Sequence, residues 1–432
     1  MRTALLLLAL LFSPSCLWAE VNVDTLRVFE GLTITQINYE GNNTTKEFVI
    51  DRQLGLEVGE TLTMAKLEGG YQNLENLGIF GSIDVIARRD GDGVALDFIF
   101  KEFPPFVPYV AFKYTEENGF SVGPALSSVN LFGRAIRVSG RVLFGGTTQF
   151  ILSSNYPWIT GNHVSLDLTA NHIIRKDKLN GFEENSDELT PWVGTWLGEK
   201  GRAKGMIGYF RMKSDVNGKT LDPDNTDDFF RMGAGMGYDS RDSWRVPHDG
   251  WQNEVEVIAD FGSGNFVTTT VDLRRFQPLS PNQTVFLGAL TSLRTGAVGV
   301  DVPEYLQYRM GGANSIRGYD IDELGRELYG KNQFIGTIEY QYMVLPLQAY
   351  NFLKWSAALG LQLAGFVDTG IAWSDPEDFN TTRWKSGYGF GVRLLIPGSE
   401  MTRFDIGFNG NGDVYFHFGN WFKWTAQRFW LR

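Results

Sequence analysis

From Phe106 onward the chain is written in short segments whose apolar residues fall on every second position. In "RWKSGYGFGVRLLI", Trp384, Tyr388, Phe390, Val392 and Leu394 alternate with Arg383, Lys385, Gly387, Gly389, Gly391 and Arg393. "RFDIGF" sets Phe404, Ile406 and Phe408 against Arg403, Asp405 and Gly407. In "SAALGLQLAGFVDTG", Leu359, Leu361, Leu363 and Val367 oppose Ala358, Gly360, Gln362, Ala364, Phe366 and Asp368. Successive side chains of a strand point to opposite faces, so each segment has one apolar face and one small or polar face. A soluble sandwich also alternates, but its outer face seldom keeps so many glycines. Segments of about ten residues closed by Gly, Asn, Asp or Pro are the pattern of a transmembrane β-barrel.

Counting segments gives about sixteen antiparallel strands, an even number. With both barrel ends on the side where the chain enters, "MGGANSIRGYDIDELGREL" (Met310–Leu328) joins the eleventh strand, "TVFLGALTSLRTGA", to the twelfth, "KNQFIGTIEYQYMVL". It is the sixth external loop. "NGFSVGPALSSVNLFG" and "TTQFILSSNYPWI" supply the second and fourth strands. Trp158, Trp192, Trp251, Trp384 and Trp421 fall near segment ends, where an interfacial girdle would place them.

Composition fits a membrane barrel. The 432 residues hold 50 glycines and 14% aromatics, and no stretch beyond the N-terminus approaches the roughly 18–20 apolar residues of a membrane helix. Arg2, "ALLLLALLF" and the small residues ending at Ala19 read as a secretory leader, residues 1–19. Cleavage there removes Cys16, the one cysteine, and with it any disulfide or cysteine metal site. "SPSC" lacks the aliphatic residue that lipidation at Cys16 would need. A net charge of −11 argues against nucleic acid as a partner.

Residues 30–103 read as a separate α+β unit. "LTITQINYEG" alternates as a strand, and Thr45 is placed to cap a helix in "TKEFVIDRQLGL", with Glu47 in its first turn. Leu67, Tyr71 and Leu74 follow at helical spacing, and two strands turn about Gly91-Asp92-Gly93. The order strand–helix–helix–strand–strand, with Gly78-Ile79-Phe80-Gly81 before the second strand, resembles a POTRA domain. That resemblance implies a periplasmic unit that binds extended polypeptide at a sheet edge; a structural plug or spacer is the plainer alternative. "FPPFVP" (Phe103–Pro108) is a stiff junction to the barrel, 106–422.

Five further stretches resemble the BamA/TamA-type outer-membrane assembly proteins, the surface-antigen family. Ile316-Arg317-Gly318-Tyr319 after Gly311-Gly312 is similar to that family's loop motif, and Phe366-Val367-Asp368-Thr369-Gly370 to its strand motif. "GYDSRDSWRVPHDGW" (Gly237–Trp251) resembles its periplasmic turn, and "NLFGR" with "NYPWI" its early strands. One POTRA-like copy is legible, and "VYFHFGNWF" is followed by the amphipathic tail 423–432. The resemblance implies a Gram-negative outer-membrane barrel that helps insert or translocate other polypeptides, with a poorly paired seam between first and last strands. Pro108 in the first strand, and Gly412 and Gly419 assigned to the last, are compatible with such a seam. The implied partners are outer-membrane lipid and unfolded or nascent exported polypeptides, with accessory lipoproteins left open. The alternative is a passive outer-membrane pore or surface protein of the same architecture.

Catalytic readings are weaker. Gly119-Phe120-Ser121-Val122-Gly123 matches a nucleophile elbow formally, but Pro124 follows and the segment runs on as a strand. His163, His172, His248 and His417 are scattered, no two at zinc-ligand spacing. Gly218-Lys219-Thr220 has Lys213 where a phosphate loop needs glycine. No catalytic residue, metal or cofactor is expected. What parity does place is Asp368 and Glu339, both on the lumen face. The expectation is that the loop folds into the lumen and that Arg317 pairs with Asp368, with Glu339 as the alternative anchor. Gly311, Gly312 and Gly318 would allow tight turns, and Tyr319 would pack beside the guanidinium. The competing reading leaves Arg317 in water or paired with Asp320 or Asp322.

Overall fold

The computed structural model describes residues 26–115, 117–160, 164–198, 200–243, 246–352, 355–395 and 401–420. The leader, Cys16, His163, Trp421 and the tail 423–432 lie outside the described residues. Two compact units divide near Phe103.

In the N-terminal unit, β1 (Ile34–Glu40) leads to α1 (Glu47–Leu54), α2 (Met64–Leu77), β2 (Phe80–Asp90) and β3 (Gly93–Glu102). The sheet order is β1-β3-β2, β3 running parallel to β1 and antiparallel to β2. Val49 and Ile50 of α1 and Leu67 and Leu74 of α2 are buried with Leu96 and Phe98 of β3. Thr45 does not cap α1: Lys46 holds the N-cap position without a side-chain bond. Thr45 is instead fastened to the last residue of β3, because the Glu102 carboxylate accepts the Thr44 and Thr45 N–H groups at 2.9 and 2.7 Å and the Thr45 hydroxyl as well. Glu102 thereby holds the chain ahead of α1 through three hydrogen bonds to a charged acceptor.

The second unit begins with β4 (Val107–Thr115), β5 (Gly119–Leu131), β6 (Ile136–Gly145), β7 (Thr147–Tyr156) and β8 (Val164–Asp177). It continues through β9 (Phe182–Leu197), β10 (Gly201–Ser214), β11 (Thr226–Asp239), β12 (Gly250–Gly262), β13 (Asn265–Ser280) and β14 (Gln283–Arg294). After a long loop with the short pair β15 (Tyr308–Arg309) and β16 (Tyr329–Gly330) come β17 (Asn332–Phe352) and β18 (Trp355–Trp373). The last strands are β19 (Lys385–Leu395), β20 (Thr402–Asn409) and β21 (Val414–Asn420). All but β15 and β16 form one sixteen-stranded antiparallel sheet from β4 to β21, a nearly closed barrel. Among the described residues no backbone ladder joins β21 to β4.

The alternation does what the sequence implies. Leu363 and Val367 of β18, Tyr388 and Phe390 of β19 and Phe404 of β20 are exposed on the outer wall. Gln362, Asp368, Arg393 and Asp405 on the opposite parity are buried in the interior. No helix among the described residues is long and apolar enough to cross a membrane; the strands do so. Trp251 belongs to the outer face with Tyr238, Tyr340 and Tyr342, but Trp158 and Trp192 are buried. Trp192 is on the lumen parity of β9, under the Lys204 ammonium at 4.6 Å, so neighbouring charge rather than a headgroup occupies its face. Gly412 lies in the turn before β21, at φ 89°, not in the strand.

Candidate functional site

The loop between β14 and β17 touches much of the barrel's circumference. Its first half packs Val302, Tyr305 and Leu306 against Phe182, Phe210, Phe229 and Phe266 of β9 to β13. The Tyr305 hydroxyl donates to Asp227 at 2.9 Å, and burial followed by that charge pushes its pKa up, keeping it a neutral donor. The second half crosses to the other wall, where Met310, Ile316, Leu324 and Leu328 bury against Leu290, Ile335 and Ile371. A two-turn helix that the sequence reading did not mark, α3 (Ile321–Glu327), lies within it. Asp320 caps that helix, accepting the Asp322 N–H at 2.6 Å, so this acidic residue behind the arginine serves the loop's own backbone.

Arg317 is fully buried. Its Nε and Nη2 donate to the two oxygens of Asp368 at 2.8 and 3.0 Å, a bidentate pair, and its backbone N–H donates to Oδ2 at 3.0 Å. Nη1 also donates to Glu339 at 2.8 Å and to Asp405 at 3.3 Å, so the two anchors read from the sequence are engaged together. Arg393 reaches the same Glu339 oxygen at 2.8 Å and Asp405 at 2.5 Å, and Arg403 stands 3.6 Å from Asp405. Three guanidiniums thus face three carboxylates, and the cluster is neutral as a whole. Burial works against the Arg317 charge; Asp368 and Glu339 outweigh it and raise its pKa, so it stays protonated. Thr337 and Gln341 donate to Asp368 and Glu339 at 2.9 and 3.0 Å, filling carboxylate positions that Arg317 leaves.

The ring over the guanidinium is Phe366, its centroid 3.4 Å from Cζ. Tyr319 packs half-buried on the loop's apolar cluster instead. Asp405, Arg393 and Phe366 were legible as lumen-parity residues, but nothing in one sequence says that strands so far apart in the chain meet at one arginine.

Glycine lets the loop lie against the wall. A Cβ on Gly387 would stand 1.8 Å from the Arg317 carbonyl oxygen, and one on Gly407 2.4 Å from the Gly318 nitrogen. Gly318 itself has φ 102° and faces the Phe408 carbonyl at 2.3 Å from where its Cβ would be. Gly311 and Gly312, at φ 110° and 80°, turn the chain into this segment.

Of the other sequence candidates, His417 reaches this site, its Nε2 accepting the Gly318 N–H at 3.1 Å, while Ser121, His172 and His248 do not. The Ser121 hydroxyl, on strand β5, accepts the Thr147 N–H at 2.9 Å. His172 contacts Asp187 at 2.7 Å and His248 contacts Thr284 at 2.6 Å. In the turn after β11, Arg241 makes a bidentate pair with Asp239 at 2.9 and 2.7 Å.

Beside the cluster, the ends of the barrel sheet face each other across a cleft of about 680 Å³. Tyr114 and Phe120 line one side, Phe404, Phe416 and Phe418 the other, with Asp405 and His417 at its inner margin.

A family model for the Omp85 superfamily domain matches residues 130–422. The chain belongs to the Omp85 superfamily. Residues 32–102 match the POTRA model, described as a surface antigen variable number repeat. This Omp85 chain is 24% identical over 409 residues to the outer membrane protein assembly factor BamA of Nitratidesulfovibrio vulgaris, an alignment covering 89% of this chain and 49% of that protein. It thus spans about half the length of that curated relative. The crystal structure of Haemophilus ducreyi BamA lacking POTRA domains 1–3 superposes with a TM-score of 0.59 at 15% identity, covering 90% of this chain and 84% of that one. CdiB from Escherichia coli gives 0.59 at 13%, covering 90% and 76%. These structures share the Omp85 fold with the present chain. It is an outer-membrane β-barrel with a periplasmic POTRA domain.

Proposed function

We propose that this Omp85 protein assists the insertion or translocation of other polypeptides at the outer membrane, and that the loop arginine cluster is its structural hub. The observation that carries the reading is the barrel seam: β4 and β21 end the sheet without a ladder between them among the described residues. An unpaired strand edge in lipid is a template for an incoming strand, because no water is there to satisfy its N–H and C=O groups. One ladder, β4 to β5 or β20 to β21, holds each edge in place. The similarity to an assembly factor named BamA supports the same reading.

The chemistry is binding and local disturbance of the bilayer, with no covalent step and no catalytic residue. In the POTRA domain β1 and β2 are the edge strands of the sheet; Gly59 and Glu60 already bond to β1 at Ile34, so the outer edge of β2 and the rest of β1 are the surfaces offered to an extended client segment. The test is insertion of a urea-denatured outer-membrane barrel into liposomes with and without the full chain. Acceleration that is lost when cysteines lock β4 to β21 is the expected result. No acceleration, together with a large conductance in planar bilayers, would instead favour a passive pore.

A further inference from the structure

The loop is fastened to β21 as well as to the carboxylates of β17, β18 and β20. The Gly318 N–H donates to Nε2 of His417 at 3.1 Å, and both residues are buried. The Tyr415 hydroxyl donates to Glu323 of α3 at 2.7 Å. Tyr415 and His417 share the lumen parity of β21, while Phe416 between them is 75% exposed on the outer wall. β21 has a ladder with β20 on one side only among the described residues, so contacts from inside the barrel fix more of its position than they would for an interior strand. His417 stands where these constraints meet. It is opposite Asp405 in the β20–β21 register, it lines the seam cleft, and its ring nitrogen holds the loop backbone one residue beyond Arg317.

We infer that His417 is a latch coupling the seam to the loop. Nε2 is the acceptor in this bond, which puts the proton of a neutral ring on Nδ1. When β21 moves away from the lumen, the Gly318 N–H loses its acceptor in a buried site, and the hold on the segment 311–319 weakens while the Arg317 contacts to β17, β18 and β20 remain. A buried N–H left unpaired is costly, so the two events are linked rather than merely adjacent. Linkage is reciprocal: withdrawing the loop weakens the hold on β21 by the same factor. His417 is a positioning residue in this account. The coupling is a property of the barrel alone and needs no client, so it goes beyond the assembly reading and stands or falls separately from it.

Hydrogen exchange of the full chain in lipid nanodiscs tests it. His417→Leu is expected to raise exchange at residues 311–319 at least fivefold, and His417→Gln, whose side-chain oxygen can accept from Gly318, to restore most of the protection. Arg317→Ala is expected to raise exchange at 414–420 as well as in the loop. The inference is overturned if Arg317→Ala loosens the loop and leaves 414–420 unchanged, or if the Gln variant exchanges as fast as the Leu variant. Should His417→Leu fail to fold, Arg317→Ala and Gly387→Ala decide the matter, since they displace the loop from different sides. Faster exchange at 414–420 in both supports the latch, and unchanged exchange in either overturns it.

Discussion

One carboxylate, that of Asp368, takes three hydrogen bonds from Arg317: from Nε at 2.8 Å, from Nη2 at 3.0 Å and from the backbone N–H at 3.0 Å. The contact fixes the loop's main chain together with its side chain. It also makes the pair a test of whether the cluster acts as a unit.

Removing one member of a buried pair typically costs about 3–5 kcal/mol. Arg317→Ala and Asp368→Ala are each expected to fall in that range, measured as the loss of urea stability of the folded barrel in micelles. The double variant is expected to cost far less than the sum. Arg317→Lys keeps the charge but cannot reproduce the fork, so it is expected to fall between the wild type and Arg317→Ala.

Phe366 covers the guanidinium face at 3.4 Å. A desolvated cation–π contact of this kind contributes up to about 2 kcal/mol. Phe366→Leu keeps most of the apolar bulk and is expected to cost about 1–2 kcal/mol in the same denaturation. In an Arg317→Ala background the additional cost is expected to shrink, and an unchanged cost would assign Phe366 to packing alone.

Gly387 has no room for a methyl group, with the Arg317 carbonyl 1.8 Å from the Cβ position. Gly387→Ala is expected to displace the loop and to reproduce the Arg317→Ala phenotype without adding to it. Gly410→Ala, where the Cβ meets nothing within 4 Å, is the matched control and should behave as wild type. Limited trypsin digestion after Arg326 reads out the displaced loop.

The loop spans the interior from the Phe229 side to the Asp368 side, anchored at Tyr305 and at Arg317. Planar-bilayer conductance of the wild type is therefore expected to be small, and Arg317→Ala to raise it. A large wild-type conductance that Arg317→Ala leaves unchanged would speak for a mouth that the loop does not obstruct.

In the POTRA domain, Glu102 ties the chain just before α1 to the end of β3. Hydrogen bonds to a charged acceptor contribute about 1.5–3 kcal/mol, so Glu102→Ala is expected to destabilise this domain by about that much. Faster exchange in 44–54, with the barrel unchanged, is the signature to look for in the full chain.

Period-two alternation carried the architecture, because in a membrane barrel each strand segment writes its own inside and outside. Lumen parity at Asp368 and Glu339 and the glycines around Arg317 were readable for the same reason: each depends on a residue's immediate neighbours in the chain. Short-range signals also misled. Thr45 looks like a helix cap until Glu102, 57 residues away, accepts its hydrogen bonds. Trp158 and Trp192 look like girdle residues until their burial is seen. What only the tertiary structure decided is which lumen residues converge. Asp405 lies 88 residues from Arg317, and His417 lies 99 from Gly318. Parity says that such residues face the same cavity, but their height and their distance across it come from strand register and from the path of the loop. Those are set by closing the whole sheet, and no local segment encodes them.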